Sequence, residues 1–410
     1  AQRLVVIGAG MAPGRMLEHL TEADPDAFDI TLLNAEPCGA YNRIMLSPVL
    51  AGEKNFEDIV THDAAWYAAR GITTRFGERA TAIDCDAKVV RAPGGDLAYD
   101  KLVLATGSDP FMLPLPGADL AGVISYRDIE DTRRMMAVAP GQPVVVIGGG
   151  LLGLEAAAGL AARGAEVTVV HLMGHLMERQ LDAEAGGMLK ASLEERGINV
   201  LCGAASDRII GTDGQVTGLA LKDGRVLECS LLIMAVGIRP AVARAQDAGL
   251  SLGRAVIVDD QLRSSDPDIL AIGECVEHRG ALFGLVAPLY DQAKVAADTL
   301  LGRNAVYVQK SLSTKLKVTG CDLFSAGDFA DAPGRESILY RDPQSGSYKH
   351  LVLEGDRLVG AVIYGDTTDG NWFFELIQSG ESVAPFRETL IFGPAYADEA
   401  GGMSRCSIAA

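Results

Sequence analysis

The sequence is short of positive charge, of paired cysteines and of uninterrupted apolar runs. Its 36 lysines and arginines stand against 54 aspartates and glutamates, which gives a formal net charge of −18. Nucleic acid phosphates would be repelled by such a chain, so we expect no nucleic-acid partner. One long apolar stretch, 144–162, contains five glycines and Glu155, which indicates a strand, a turn and a helix rather than a membrane span. We therefore expect a soluble protein with no membrane partner.

Seven cysteines are scattered along the chain, and no two are closer than 27 residues (229 minus 202). This spacing offers no CxxC pair, no zinc ligand set and no iron–sulfur ligand run, so we expect no bound metal. Free thiols in a chain of 410 residues are typical of cytoplasmic proteins. That length is sufficient for two or three domains, each with its own core.

A glycine-rich turn lies near the start of the sequence. The apolar residues Leu4–Ile7 predict a buried strand, and Gly8 and Gly10 follow it. Glycines there let the backbone turn sharply and approach a pyrophosphate, which the N-terminus of a helix over 15–20 would face with free N–H groups. The residues predicted to form this cradle are Gly8, Ala9, Gly10, Met11 and Pro13, of which Pro13 replaces the usual third glycine.

The same pattern recurs 140 residues later (148 minus 8), after the apolar residues Val144–Ile147. Two such turns in one chain suggest two dinucleotides, of which FAD and a nicotinamide coenzyme are the expected pair. The predicted contacts of the second nucleotide are Gly148, Gly150, Leu151, Leu152 and Gly153.

Polar residues follow the second predicted strand, Phe28–Asn34. Asn34 and Glu36 are candidates to bind the hydroxyls of the adenosine ribose, although a loop carboxylate without a role fits equally well. Arg43 is a candidate to pair with the FAD pyrophosphate, the alternative being a surface salt bridge.

Several short motifs together resemble one enzyme family. They are Gly-x-Gly at 8–10, Glu-Pro-x-x-x-Tyr-x-Arg at 36–43, Ala-Thr-Gly at 105–107, Gly-x-Gly-x-x-Gly-x-Glu at 148–155, Val-Gly-Ile-Arg-Pro at 236–240 and the run 265–275. The sequence resembles the pyridine-nucleotide-dependent flavoprotein disulfide reductases, in the branch of ferredoxin and rubredoxin reductases. Within that branch it is most similar to the FAD module of NADH-dependent assimilatory nitrite reductases and to the diaphorase subunit of assimilatory nitrate reductases.

The resemblance implies an α/β fold with two Rossmann-like domains, one for FAD and one for NAD(P), and a small C-terminal α+β domain. The implied segments are 1–115 and 245–303 for the FAD domain, 116–244 for the NAD(P) domain, 304–395 for the C-terminal domain and 396–410 for a tail.

The resemblance also implies the roles of several residues. Glu155 becomes the catalytic carboxylate that orients the nicotinamide, although Pro48 stands where several relatives carry the lysine partner of that carboxylate. Glu274 would bind the FAD ribityl chain, and a helix starting near Pro288 would direct its N-terminus at the flavin. Further implied cofactor contacts are Ala80, Ala105, Thr106, Gly107, Val236, Gly237, Gly273, Gly284 and Leu285.

The second nucleotide's preference is normally set at the end of the strand Glu166–Val170, where a carboxylate selects NAD. Here that residue is His171, with Arg179 the nearest cation, so the residues leave both coenzymes open. From the resemblance we expect NADH, with NADPH as the alternative.

The function predicted from the resemblance is transfer of electrons from NADH through FAD to a separate redox protein. The expected acceptor is the catalytic subunit of assimilatory nitrate or nitrite reductase, with rubredoxin or ferredoxin as the near alternative. Two other classes stay open. One is a thiol-based NADH peroxidase or oxidase that uses Cys38, which stands in a partly matching Cys-Gly-x-Tyr segment at 38–41, and the other is a flavin-binding regulator.

Overall fold

The computed structural model of the chain describes residues 1–399. The strands are β1 (Gln2–Ile7), β2 (Phe28–Asn34), β3 (Thr73–Phe76), β4 (Ala82–Asp84), β5 (Val89–Arg91), β6 (Leu97–Ala98), β7 (Lys101–Leu104), β8 (Ser108–Pro110), β9 (Val123–Ser125), β10 (Pro143–Ile147), β11 (Glu166–His171), β12 (Asn199–Cys202), β13 (Ser206–Thr212), β14 (Gln215–Leu221), β15 (Val226–Glu228), β16 (Leu231–Met234), β17 (Ile238–Pro240), β18 (Val256–Val258), β19 (Ile269–Ala271), β20 (Val276–His278), β21 (Ala281–Leu282), β22 (Thr314–Val318), β23 (Cys321–Gly327), β24 (Arg335–Asp342), β25 (Ser347–Glu354) and β26 (Arg357–Tyr364). The α-helices are α1 (Met11–Ala23), α2 (Leu46–Leu50), α3 (Ala64–Ala68), α4 (Ile129–Met136), α5 (Leu151–Ala162), α6 (Ala183–Glu195), α7 (Ala243–Asp247), α8 (Val286–Leu300), α9 (Gly370–Ser379) and α10 (Pro394–Glu399). Single 3₁₀ turns cover Arg43–Met45, Glu57–Ile59, Ala384–Phe386 and Leu390–Phe392.

The chain forms two compact units, of which the first comprises residues 1–111, 127–132 and 237–310. Its main sheet is parallel and has the order β19-β7-β1-β2-β3. Leu4, Val6 and Leu32 are fully buried, as expected for strands covered on both faces. Because β1 lies between β2 and β7, the sheet changes direction of winding there, and open α/β sheets bind ligands at the carboxyl edge of such a point.

The second unit comprises residues 112–126 and 133–236 and the chain from Ser311. It repeats the same arrangement in a parallel sheet of order β12-β11-β10-β16-β9. Ile147, the last residue of β10, pairs with Val170 on one side and Met234 on the other. The loops that follow the three central strands therefore leave the sheet at one common edge.

The C-terminal part of the second unit is an antiparallel sheet of order β22-β23-β26-β25-β24, against which α9 packs. Its core contains Phe324, Leu351, Ile363 and Phe373, all fully buried. The predicted α/β fold with two Rossmann-like sheets and a small α+β part is therefore confirmed. Among residues 1–399, no helix combines the length and the apolar character that crossing a bilayer needs.

The domain boundaries predicted from the sequence stay predictions. Residues 396–399 of the predicted tail belong to α10, and the rest of that tail, 400–410, lies outside the described residues.

Candidate functional site

The first glycine turn joins β1 to α1 at the carboxyl edge of the parallel sheet. Gly8 has φ +107°, and a Cβ there would collide with the carbonyl oxygen of Ala105, so only glycine fits. Helix α1 begins at Met11, earlier than the predicted residue 15, and Gly10 is its N-cap. That cap has no side-chain hydrogen bond, and the first turn of α1 contains no acidic residue.

The second turn, between β10 and α5, has the same geometry. Gly148 has φ +123°, and a Cβ there would collide with the carbonyl oxygen of Ala235. A Cβ on Gly153 would meet the carbonyl oxygen of Gly148, so this glycine permits close contact between helix and strand. Gly150 is the N-cap of α5, again without a side-chain cap.

Both turns fit the pyrophosphate of a dinucleotide. The first N–H groups of a helix have no intrahelical acceptor, and a bound anion satisfies them when no side chain does. A Cβ on either Gly10 or Gly150 would meet nothing within 4 Å, so the space before each helix is open. The residues present therefore suit FAD at one turn and a nicotinamide dinucleotide at the other, and each group would be held by backbone N–H donors and the helix dipole.

Pro13 lies buried in the first turn of α1, where the third glycine of the motif would stand. Close packing is supplied one residue later by Gly14. A Cβ on Gly14 would lie 3.0 Å from Nδ1 of His62 and 3.1 Å from Cβ of Ala40. Gly14 therefore lets α1 approach the loop residues Ala40 and His62 closely.

The residues that follow β2 form a polar cluster. Asn34 is buried, accepts a hydrogen bond from the Ala9 N–H at 3.3 Å and donates one to the Cys38 carbonyl at 2.7 Å. Its side chain thus braces the glycine turn, and its predicted contact with the ribose stays a prediction.

Glu36 and Arg43 form an ion pair, and the hydroxyl of Tyr41 bridges them. Burial raises the pKa of the Tyr41 phenol above its ordinary value, so the hydroxyl keeps its proton and can donate to Glu36. The structure thus brings together Glu36, a predicted ligand of the ribose, and Arg43, a predicted ligand of the pyrophosphate. Their contacts with FAD are not tested by this pairing.

Glu274 lies in a second polar cluster, beside the Ala105–Gly107 turn. Its carboxylate accepts hydrogen bonds from Arg127 at 2.7 Å and from the Ser108 hydroxyl at 2.5 Å. Nη2 of Arg127 would also lie 3.6 Å from a Cβ on Gly107.

The sequence did not predict a role for Arg127. Its carbonyl accepts a hydrogen bond from Arg43 at 3.0 Å. Arg127 thereby joins both polar clusters. The only signal in the sequence is an arginine just before the amphipathic helix α4.

Helix α8 begins at Val286, two residues before the predicted start, and Pro288 lies in its first turn. It has neither a side-chain cap nor an acidic residue in that turn, so its positive end is available to a flavin. Leu285 precedes it and is 44% exposed. Gln292 on this helix is fully buried and accepts the Gly273 N–H at 2.8 Å, which fixes the turn before Glu274.

The other predicted residues differ in their exposure. Glu155 is half-buried in α5, and Leu152 one turn earlier is 39% exposed. Gly237 has φ +118° after β16, and Ala80 is buried. In residues 1–399 no group of acidic, histidine or cysteine side chains could hold a metal ion. The side chain of Cys38 is partly exposed.

His171 is buried at the end of β11 and accepts a hydrogen bond from the Gly149 N–H at 3.0 Å. Its other ring nitrogen lies 3.0 Å from the carboxylate of Glu178, a residue that the sequence reasoning did not single out.

Comparison with known proteins agrees with this geometry. Residues 2–299 match the pyridine nucleotide-disulphide oxidoreductase family, and residues 313–381 match the rubredoxin NAD⁺ reductase C-terminal domain. The chain is 44% identical to the nitrite reductase [NAD(P)H] of Bacillus subtilis (strain 168), over 98% of this chain and 50% of that protein. It is 41% identical to the assimilatory nitrate reductase electron transfer subunit of the same organism, over 90% of this chain and 48% of that protein.

The chain thus spans about half the length of these curated relatives. Among solved structures it resembles a ferredoxin reductase from Rhodopseudomonas palustris, with 27% identity, a TM-score of 0.81 and coverage of 93% of this chain and 96% of the other. The predicted resemblance is therefore confirmed. The chain belongs to the pyridine nucleotide-disulphide oxidoreductase family, as an FAD-dependent NAD(P)H oxidoreductase.

Proposed function

We propose that this chain accepts a hydride from NADH and passes the electrons through FAD to a separate redox protein. The observation that carries the proposal is the pair of glycine turns, each of which offers an open and uncapped helix N-terminus to one dinucleotide. When bound, the flavin would connect NADH, which gives two electrons together, to an acceptor that takes electrons one at a time.

Residues of the chain would bind the cofactor and stabilise its negative charge. The N–H groups at the start of α1 would bind the FAD pyrophosphate, and Arg43 would add a positive charge that Glu36 keeps in place. Glu274, fixed by Arg127 and Ser108, would accept hydrogen bonds from the ribityl hydroxyls. The positive end of α8 would stabilise negative charge on the reduced ring.

The acceptor we propose is the catalytic subunit of assimilatory nitrate or nitrite reductase. The names of the two Bacillus subtilis relatives support this choice, and both are longer than the part matched by this chain. No metal-binding cluster occurs within residues 1–399, so the nitrogen-oxide chemistry would take place elsewhere.

A rubredoxin or ferredoxin is the second candidate acceptor. The match of residues 313–381 to the rubredoxin reductase C-terminal domain and the likeness to a ferredoxin reductase favour it.

Reduction of candidate acceptors by the NADH-reduced protein, followed anaerobically, tests the proposal. We expect oxidation of the bound flavin on addition of the nitrite or nitrate reductase catalytic part, at a rate that exceeds oxidation by rubredoxin or ferredoxin. Faster oxidation by rubredoxin would select the second candidate. Flavin that no protein acceptor oxidises would contradict both.

A further inference from the structure

The end of β11 carries a histidine where a dinucleotide-binding fold selecting NAD usually carries a carboxylate. Such a carboxylate accepts hydrogen bonds from the ribose hydroxyls of NAD. β11 pairs in parallel with β10, so its end lies beside the glycine turn that begins at Gly148. His171 at this end is 7% exposed, and its Nδ1 accepts the Gly149 N–H at 3.0 Å. Because Nδ1 acts as an acceptor, the ring proton is on Nε2.

That proton points to a carboxylate supplied by the following loop. Nε2 of His171 lies 3.0 Å from Oε2 of Glu178, whose side chain is 29% exposed. One carboxylate oxygen thus faces the histidine, and the side chain still reaches solvent at the edge of the turn. A single buried ring therefore connects Glu178 to the backbone of the second glycine turn.

The loop that carries Glu178 is fixed to the same glycine. The Met177 N–H donates to the Gly149 carbonyl at 3.0 Å, and Met177 has φ +53°, which is uncommon for a residue with a side chain. A Cβ on Gly149 would lie 2.6 Å from Cγ of His171 and 2.7 Å from Cδ2 of Leu176. Gly149 therefore has to be glycine for the loop to pack where it does.

We propose that Glu178, oriented by His171, binds the adenosine ribose hydroxyls of the coenzyme and so selects NADH over NADPH. This inference rests on the proposed function, because it assigns the ribose site of the same nucleotide. The carboxylate accepts hydrogen bonds from both hydroxyls, and it repels the 2′-phosphate of NADPH because both carry negative charge. His171 is a positioning residue and does not itself contact the ribose.

Arg179 is the competing ligand, since an arginine beside the ribose favours the 2′-phosphate. It is exposed, whereas Glu178 is fixed by a hydrogen bond to a buried ring. A preoriented group loses less conformational freedom on binding than an exposed arginine does, so the geometry favours the carboxylate.

Binding to the FAD-loaded protein, measured by isothermal titration calorimetry, tests the inference. The probes are NAD⁺, NADP⁺ and their adenosine halves, 5′-AMP and 2′,5′-ADP. We expect NAD⁺ to bind at least about tenfold more tightly than NADP⁺, and Glu178→Gln to weaken NAD⁺ binding by about tenfold, the loss of one charge-assisted hydrogen bond. The same variant is expected to bind 2′,5′-ADP more tightly than the wild type does.

His171 variants separate positioning from a merely structural role. His171→Phe removes both hydrogen bonds and is expected to lower the NAD⁺ preference as Glu178→Gln does. His171→Gln places its amide nitrogen near the position of Nε2 and can still donate to Glu178, so it is expected to retain much of the preference. If His171 acts through Glu178, adding His171→Phe to Glu178→Gln changes the preference little further.

The matched control is Glu195→Gln, an exposed carboxylate on α6 with the same change of charge. It is expected to leave the preference unchanged. Wild-type protein that binds NADP⁺ as tightly as NAD⁺, or an unchanged preference in Glu178→Gln, would overturn the inference. So would an Arg179→Gln variant that loses tight NADP⁺ binding.

Failure of the proposed function has a different signature. An unchanged preference together with normal bleaching of the flavin by NADH contradicts only the assignment of Glu178. Flavin that neither coenzyme bleaches contradicts the proposed function, whatever the calorimetry shows. If neither coenzyme binds, both are contradicted.

Discussion

At the scale of single residues, two glycines of the first turn have different physical roles. Gly8 has φ +107°, and its Cα faces the carbonyl of Ala105, so the protein itself requires the missing side chain. Gly10 has open space around it, so the protein alone would accept a methyl group there. The space at Gly10 is where we expect a pyrophosphate, which makes the ligand the reason for this glycine.

Gly8→Ala and Gly10→Ala are therefore expected to differ. Gly8→Ala should lower the free energy of unfolding of the apoprotein by about 2 kcal/mol or more, from backbone strain and the clash. Gly10→Ala should leave that value nearly unchanged and weaken FAD binding. Urea unfolding of the apoprotein and fluorescence titration with FAD measure the two effects.

Gly187→Ala is the control, since Gly187 is exposed on α6 with open space around it. It should leave FAD binding unchanged. It should raise the free energy of unfolding only slightly, because alanine has the higher helix propensity. Equal loss of stability in the Gly8 and Gly10 variants would contradict the distinction.

Cys38 separates the electron-transfer function from a thiol-based peroxidase or oxidase. Cys38→Ser should leave NADH-driven reduction of ferricyanide unchanged within about twofold, because the proposed route to the acceptor uses no thiol. Anaerobic steady-state kinetics measure the rate, with Cys202→Ser as the control. A loss of activity confined to the Cys38 variant would favour the thiol mechanism.

At the scale of elements, one carboxylate connects α6 to the C-terminal sheet. Asp182 is the N-cap of α6, where it accepts the Ala185 N–H at 2.9 Å. The same side chain accepts hydrogen bonds at 2.7 Å from the hydroxyl of Tyr348 and from Nδ1 of His350, both on β25. Burial alone would raise the pKa of Asp182, but these hydrogen bonds together lower it below its ordinary value.

Asp182→Asn should lower the free energy of unfolding by about 2 kcal/mol at pH 7, from the weakened cap and the lost charge-assisted hydrogen bonds. Because the pKa of Asp182 is depressed in the folded state, its contribution is complete above the unfolded value of about 3.9. It is lost as the pH falls through the folded value. The difference between wild type and variant should therefore narrow below about pH 4.

Urea unfolding at a series of pH values measures this difference. Asp119→Asn, an exposed carboxylate of the same unit, is the control for the change of charge and should leave the free energy of unfolding nearly unchanged at pH 7. A gap that widens on acidification would contradict the assigned role of Asp182.

How far the elements could be predicted depends on the range of the interactions. The two glycine turns and the strands β1, β2, β10 and β11 carry local patterns in the sequence and were predicted near their observed bounds. The hydrogen bond from Arg127 to Glu274 joins residues 147 apart, and that from His350 to Asp182 joins residues 168 apart. No periodicity marks such pairs, because the fold alone brings them together.

At the scale of the whole molecule, the chain contains two units that each include a parallel sheet with a glycine turn at its carboxyl edge. The proposed function assigns FAD to the turn of the first unit and a nicotinamide coenzyme to the turn of the second. The proposed choice of NADH depends on a contact that the sequence did not predict, the hydrogen bond between His171 and Glu178. The ring of His171 connects the carboxylate of Glu178 to the second turn.

Anaerobic titration of the purified protein with NADH, followed by flavin absorbance, tests most directly whether the two turns hold the two cofactors. The protein should carry one FAD per chain, and about one equivalent of NADH should bleach the flavin completely, since each NADH supplies the two electrons that one flavin accepts. Protein that remains colourless after incubation with FAD, or bound flavin that neither NADH nor NADPH bleaches, would contradict the account.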